Sequence, residues 1–121
     1  VTKRTQSVGA YGERVAVAYL LSAGYTVLDR NWRCRYGEVD VVASLGETVV
    51  FVEVKCRRST TFGPPAVAVT PLKAERIRAV ASLWLAERVV PERGVPVRFD
   101  VVAVTRPLSG AAVVEHLEGA F

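Results

Sequence analysis

Asp40, Glu53 and Lys55 are the residues whose types and spacing point to chemistry. The segment Phe51-Val52-Glu53-Val54-Lys55 reads as a β-strand, and side chains two apart on a strand share a face. Glu53 and Lys55 then lie on the side of Val49 and Phe51, with Val50, Val52 and Val54 on the other. A strand apolar on both faces is a covered, central one, and burying a carboxylate and an ammonium there is costly. By the same period Glu38 and Asp40 share a face of the preceding strand. If the two strands pair through the turn near Gly46, Asp40 comes close to Glu53. Two neighbouring carboxylates repel, and one ordinarily keeps a proton. A divalent cation removes that conflict: Mg²⁺ (or Mn²⁺) prefers oxygen and takes one or two carboxylates, waters and a substrate phosphate. Lys55 is then placed to hold or deprotonate an attacking water whose pKa the metal lowers. Such parts suffice to hydrolyse a phosphodiester. The ordinary alternative is an exposed strand ion pair, worth little to stability.

The elements that must position these groups follow from pattern and punctuation. Residues 1–7 are polar and expected to fray. Ser7 is a candidate N-cap for a helix over Val8–Ala23, with Val15, Ala18, Tyr19 and Ser22 on one stripe and Gly24 ending it. Tyr25–Trp32 reads as a strand, Arg33–Gly37 as a basic turn and Glu38–Ser44 as a second strand. Leu45-Gly46-Glu47 is a tight turn, and Thr48–Arg57 is a third strand rich in β-branched residues. Arg58–Val69 is a loop containing Gly63-Pro64-Pro65. Thr70 and Pro71 open a second helix to about Val89, burying Leu72, Ile77, Val80, Ala81 and Trp84. Pro91–Pro96 breaks it before strands at Val97–Thr105 and Ala111–Leu117. The order αβββαββ gives an α/β or α+β layer fold in a single domain over 1–121.

Half of the 121 residues are hydrophobic, which places the chain among globular proteins. No apolar run is long enough to cross a bilayer, and no export signal opens the chain. With no Met in the sequence, Val1 is expected not to be the initiator. Cys34 and Cys56 form no Cys-x-x-Cys and stand beside one histidine, which argues against structural zinc and for reduced, cytoplasmic thiols. Nucleotide-binding glycine patterns and Gly-x-Ser-x-Gly are absent, so nucleotide-cofactor binding and acyl- or sugar-hydrolase chemistry have no support in the sequence. The formal charge of +4 suits a nucleic-acid partner, though an arginine bias also arises from base composition.

Asp40 followed, after a turn, by Glu53-Val54-Lys55 resembles the PD-(D/E)xK nuclease signature, with Val39 in place of the proline. The chain also resembles the UPF0102 (YraN-like) family of small bacterial proteins. The resemblance runs through Gly12-Glu13, Asn31–Ala43 (NWRCRYGEVDVVA), Phe51–Arg57 (FVEVKCR) and Arg98–Val102 (RFDVV), roughly Gly9 to Val104. It implies a restriction-endonuclease-like fold, a central mixed sheet flanked by helices, and distant similarity to archaeal Holliday junction resolvases. It makes Glu13 a helix-borne catalytic acid of the site, Asp40, Glu53 and Glu13 metal ligands, and Lys55 the base or water-positioner. Lys73, at a position where the family also has lysine, is expected at a phosphate. The implied activity is Mg²⁺-dependent cleavage of DNA, branched or junction DNA included. A junction nuclease needs two active sites, so a homodimer follows.

Arg33, Arg35, Arg57, Arg58, Lys73, Arg76 and Arg78 are placed to form a phosphate-binding rim, against the ordinary alternative of a solvated basic surface. Tyr36, in the basic turn, is a candidate for base stacking; Trp32 is expected in the core, and Phe62 in either role. Glu38 is expected as a strand-entry acid near Arg33 and Arg35, placed to support the site acids from behind, and Asp100 either as such a supporting acid or as the partner of Arg98. His116 is expected to be packed rather than catalytic. Two rivals to a nuclease keep the same fold: a non-catalytic nucleic-acid-binding module, and a protein active only with a partner.

Overall fold

A computed structural model describes residues 3–58, 69–88, 94–107 and 109–121 of the chain. The elements run α1 (Lys3–Ser22), β1 (Thr26–Cys34), β2 (Gly37–Leu45), β3 (Thr48–Arg57), α2 (Pro71–Arg88), β4 (Val97–Thr105) and β5 (Val113–Leu117). This is the expected αβββαββ order. The five strands form one mixed α/β sheet in sequential order, β1-β2-β3-β4-β5. All neighbours are antiparallel except β3 and β4, which run parallel. A parallel pair needs a crossover, and α2 lies within it. The Gly63-Pro64-Pro65 loop, Phe62 and Pro91 fall outside the described residues. Among those described, no helix is long and apolar enough to cross a membrane.

The central position expected for β3 follows from its two apolar faces. Val50 and Val52 pack with Ala16 and Leu20 of α1, Val41 and Ala43 of β2, and Val102 and Val104 of β4. Val49 and Phe51 pack on the other side with Ile77, Val80, Ala81 and Trp84 of α2. Phe51 is fully buried, stacked on Phe99 at 5.7 Å and edge-on to Trp84 at 5.8 Å. Trp32 joins this cluster, as expected. Cys34 packs on the α2 side and Cys56 on the α1 side, and both are free thiols.

Several boundaries and faces differ from expectation. Helix α1 starts at Lys3, so Ser7 lies inside it rather than at its start. Its buried stripe is Gly12, Ala16 and Leu20 at i, i+4 spacing, while Ala18 and Ser22 are exposed. Small residues won this face because α1 lies close on β3: a Cβ at Gly12 would sit 2.5 Å from Cys56 Cβ. That atom is anchored to the strand and has no room to turn away. Gly12→Ala should therefore destabilise the protein by about 1–3 kcal/mol, despite a helix-propensity gain of about 1 kcal/mol. Urea denaturation reads this directly; an alanine variant as stable as the parent would show that α1 is free to shift. In α2, Thr70 caps as expected, its Oγ1 accepting the Lys73 N–H at 3.1 Å. Leu72, expected inside, is 57% exposed, and Ala74 takes its place on the buried side.

Strand β1 runs on to Cys34, so the basic turn shrinks to Arg35-Tyr36 between Cys34 and Gly37. Gly46 and Glu47 make an equally short turn into β3, with Gly46 at φ 60°. Glycine favours this left-handed conformation at the first position of such turns.

Candidate active site

The regular ladder breaks around Asp40, and the break makes the site. On one side, β1 and β2 pair through Arg30↔Val41 and Trp32↔Val39, skipping Asn31 and Asp40 between them. Asn31 has φ 50°, the left-handed conformation that asparagine tolerates better than most residues. On the other side, the β2–β3 ladder ends at Val41↔Val52. Val39 and Val42 both pack on the α2 side while Val41 packs on the α1 side, so strict alternation is lost here. With its ladder partners gone, the Val54 N–H donates to Asp40 Oδ2 at 2.8 Å. Irregularities of this kind commonly re-aim side chains beside active sites.

Asp40 is thus directed towards the buried Glu53. Burial first, and then the Glu53 carboxylate, push Asp40 up to about 7, with Glu38 adding to the rise; the Val54 N–H and Lys73 pull against it. One member of the pair keeps a proton near neutrality, as expected for crowded carboxylates. The sign of the pH effect follows. Between the ordinary value of 3.8 and about 7, the native state holds a proton that the unfolded chain has released. The stabilisation is complete below the lower value and lost as pH rises through the upper one. Without metal, stability should fall by up to a few kcal/mol across this window. Asp40→Asn should flatten the fall, measured by denaturant titrations at about pH 5 and about pH 8. Parallel profiles for the two proteins would contradict the assignment.

Glu53 carries an ion pair: Lys73 Nζ, from the first turn of α2, lies 2.8 Å from its Oε1. Lys55 is on the same face, two residues along β3, and half-buried. Among the described residues no ion pair or hydrogen bond engages its ammonium. A buried carboxylate pair with an uncommitted lysine beside it is an oxygen-rich site able to bind a hard divalent cation and order a water.

Glu13 is placed differently. Arg30 Nε and Nη2 both donate to its Oε1 at 2.9 Å, and Asn31 Nδ2 reaches Oε1 at 2.8 Å and Oε2 at 2.7 Å. Glu13 thereby pins the left-handed Asn31. Among the described residues no group of three or more acids, histidines or cysteines is arranged to hold a metal. The structure brings Asp40 and Glu53 together and does not assemble Glu13 with them into a three-acid set.

The expected basic rim is partly spoken for. Arg33 pairs with Glu38 at 2.7 Å. Arg35 lies over the exposed Tyr36 ring at 4.7 Å and donates to its hydroxyl. Arg57 Nε reaches Thr105 Oγ1 at 3.5 Å, and Arg58 is exposed. Arg78 covers Phe99, on the packed side of the sheet. Arg33, Lys73 and Arg76 line one cavity of about 640 Å³ between the β1–β2 hairpin and the start of α2.

Asp100 does more than pair with Arg98. It is fully buried and accepts from Arg98 Nε and Nη2, His116 Nε2 and the Gly119 N–H, at 2.6–3.0 Å. Burial alone would raise its pKa, but the bonds from Arg98, Gly119 and His116 outweigh burial and hold it below the ordinary value. As an acceptor, Asp100 requires His116 to donate from Nε2, so in the neutral ring Nδ1 accepts from Tyr19 at 2.9 Å. Arg98 also reaches Tyr25 at 2.6 Å. These bonds tie α1, β4, β5 and the C-terminal turn together.

Residues 12–104 match the family described as the uncharacterised protein family UPF0102. A UPF0102 protein of Beutenbergia cavernae is 57% identical over 113 residues, covering 93% of this chain and 94% of that one. Another, from Kineococcus radiotolerans, is 56% identical over 115 residues, with coverage of 93% and 92%. A third, from Geotalea uraniireducens, is 44% identical over 116 residues, with coverage of 96% and 90%.

Proposed function

This chain belongs to the uncharacterised protein family UPF0102, and from the site it carries we propose a metal-dependent endonuclease that hydrolyses phosphodiester bonds in DNA. The carrying observation is the pairing of half-buried Asp40 with buried Glu53 at a break in the sheet, with Lys55 uncommitted on the same face. Asp40 and Glu53 would hold Mg²⁺ or Mn²⁺. When bound, the ion supplies a water of lowered pKa and charge compensation at the phosphate. Lys55 orients the attacking water and balances negative charge that builds on the phosphoryl oxygens. Attack at phosphorus breaks one P–O ester bond, leaving a phosphate end and a hydroxyl end. Arg33, Arg76, the exposed Arg58 and the Arg35–Tyr36 tip supply phosphate contacts and a stacking surface. Glu13 acts at a remove, by holding Asn31 across from Asp40.

A second reading, a nucleic-acid-binding module without catalysis, draws on the Lys73–Glu53 ion pair, which neutralises Glu53 without a metal. A labelled panel of four-way junction, flap, single-stranded and duplex DNA, plus RNA, tests both with Mg²⁺, Mn²⁺ or EDTA. Metal-dependent cutting is the expected result and reveals the preferred structure, branched forms included. Binding without cutting under every condition supports the second reading.

A further inference from the structure

Lys73 occupies a place that helix electrostatics does not favour. It lies in the first turn of α2, where the helix dipole disfavours a cation, and no acid in that turn offsets it. Its ammonium instead reaches across to β3 and lies 2.8 Å from Glu53 Oε1, while its side chain stays 41% exposed. A half-exposed lysine on a flexible stem is readily rearranged. The cavity beside it has Arg33, Arg76 and one acid, Glu38, in its wall, and Glu38 is already paired with Arg33 at 2.7 Å.

We propose that Lys73 is a built-in counter-cation of the carboxylate pair, which a divalent metal displaces from Glu53 towards a nucleic-acid phosphate in the neighbouring cavity. This inference rests on the metal site proposed above. Lys73 and the metal would compete for the Glu53 carboxylate. Glu38 is already engaged by Arg33, so release of the ammonium towards Arg33 and Arg76 is unfavourable unless a further anion lies among them. A phosphate there stabilises the released lysine, and so strengthens metal binding. By reciprocity the metal strengthens phosphate binding by the same factor. Metal and nucleic acid are thereby loaded together, and the empty protein keeps its acids neutralised.

The test is Mn²⁺ affinity by calorimetry on the full chain, at about pH 8 so that proton competition is small. Titrations are run with and without a nuclease-resistant phosphorothioate oligonucleotide. Lys73→Met keeps the aliphatic stem and Lys73→Gln provides a polar control. Both should bind Mn²⁺ about five-fold or more tighter than the parent without oligonucleotide. Oligonucleotide should tighten Mn²⁺ binding in the parent and do so much less in the variants. Equal or weaker Mn²⁺ binding by both variants overturns the proposal. If Glu53→Ala still abolishes Mn²⁺ binding in that case, the metal site stands and only the role of Lys73 falls. If Glu53→Ala binds Mn²⁺ as the parent does, the metal site and this inference fall together.

Discussion

Lys55→Ala protein is expected to keep its fold and its Mn²⁺ binding while cleaving DNA about 10²–10⁴-fold more slowly. Lys55 is half-buried on β3 and makes no ion pair or hydrogen bond among the described residues. Truncation therefore orphans no partner, and the stability loss should be modest. On the proposed nuclease reading its positive charge would balance the charge that develops on the phosphate, so its absence should be felt when charge develops rather than when substrate binds. The turnover rate should drop while the dissociation constant for DNA stays near the parent value. Single-turnover cleavage with saturating DNA separates these quantities. Parent-like turnover in a clean Lys55→Ala preparation would remove Lys55 from the mechanism.

Asp100→Ala should be the most destabilising single truncation at a polar position outside the acid pair. It leaves Arg98, His116 and the Gly119 N–H without their shared acceptor in a fully buried site. Breaking a buried ion pair from one side costs about 3–5 kcal/mol, against a total stability of about 5–15 kcal/mol for a typical domain. The melting temperature should fall by more than about 10 °C. Asp100→Asn retains one acceptor and should fall between parent and alanine. His116→Ala removes one donor and leaves Arg98 and Gly119 bonded to Asp100, so its effect should be smaller. A change below about 1 kcal/mol for Asp100→Ala, within the range of surface substitutions, would mean that water replaces the carboxylate and that the network does not hold the C-terminal turn in place.

Sequence patterning revealed the sheet better than the site. The two apolar faces of Thr48–Arg57 marked a covered strand because burial on both sides leaves no polar alternation, and β3 is central. Thr70-Pro71 marked the start of α2 because capping chemistry is local. The buried stripe of α1 was placed only in part: Val15 and Tyr19 pack against the core, but Ala18 and Ser22 are exposed, and Gly12 and Ala16 face the sheet for closeness rather than hydrophobicity. Asp40 and Glu53 were brought together by strand period and one turn, which is local information. The cause of their approach was not local. It requires Asn31 at positive φ, Glu13 from another element to pin it, and a backbone N–H of β3 captured by a side chain. An asparagine in the middle of a strand-like run was the available signal. The Arg98–Asp100 pair was legible from strand period, but Lys73 on Glu53, His116 on Asp100, and the bonds of Tyr19 to His116 and of Tyr25 to Arg98 depend on tertiary placement that no spacing encodes.

The sequential strand order bears on the timing of folding. Strands β1, β2 and β3 are joined by two-residue turns, so their contacts close small loops at little entropic expense and can form early. Asp40 and Glu53 both belong to this meander. Lys73 arrives only when α2 docks, and Asp100 finds His116 only when β4 and β5 join. During folding the two acids are therefore crowded before Lys73 reaches Glu53, with Lys55 the one cation already beside them on β3. Lys73 substitutions should accelerate unfolding and leave the folding rate nearly unchanged, with φ-values near zero, while truncating Val50 or Val41 should slow folding.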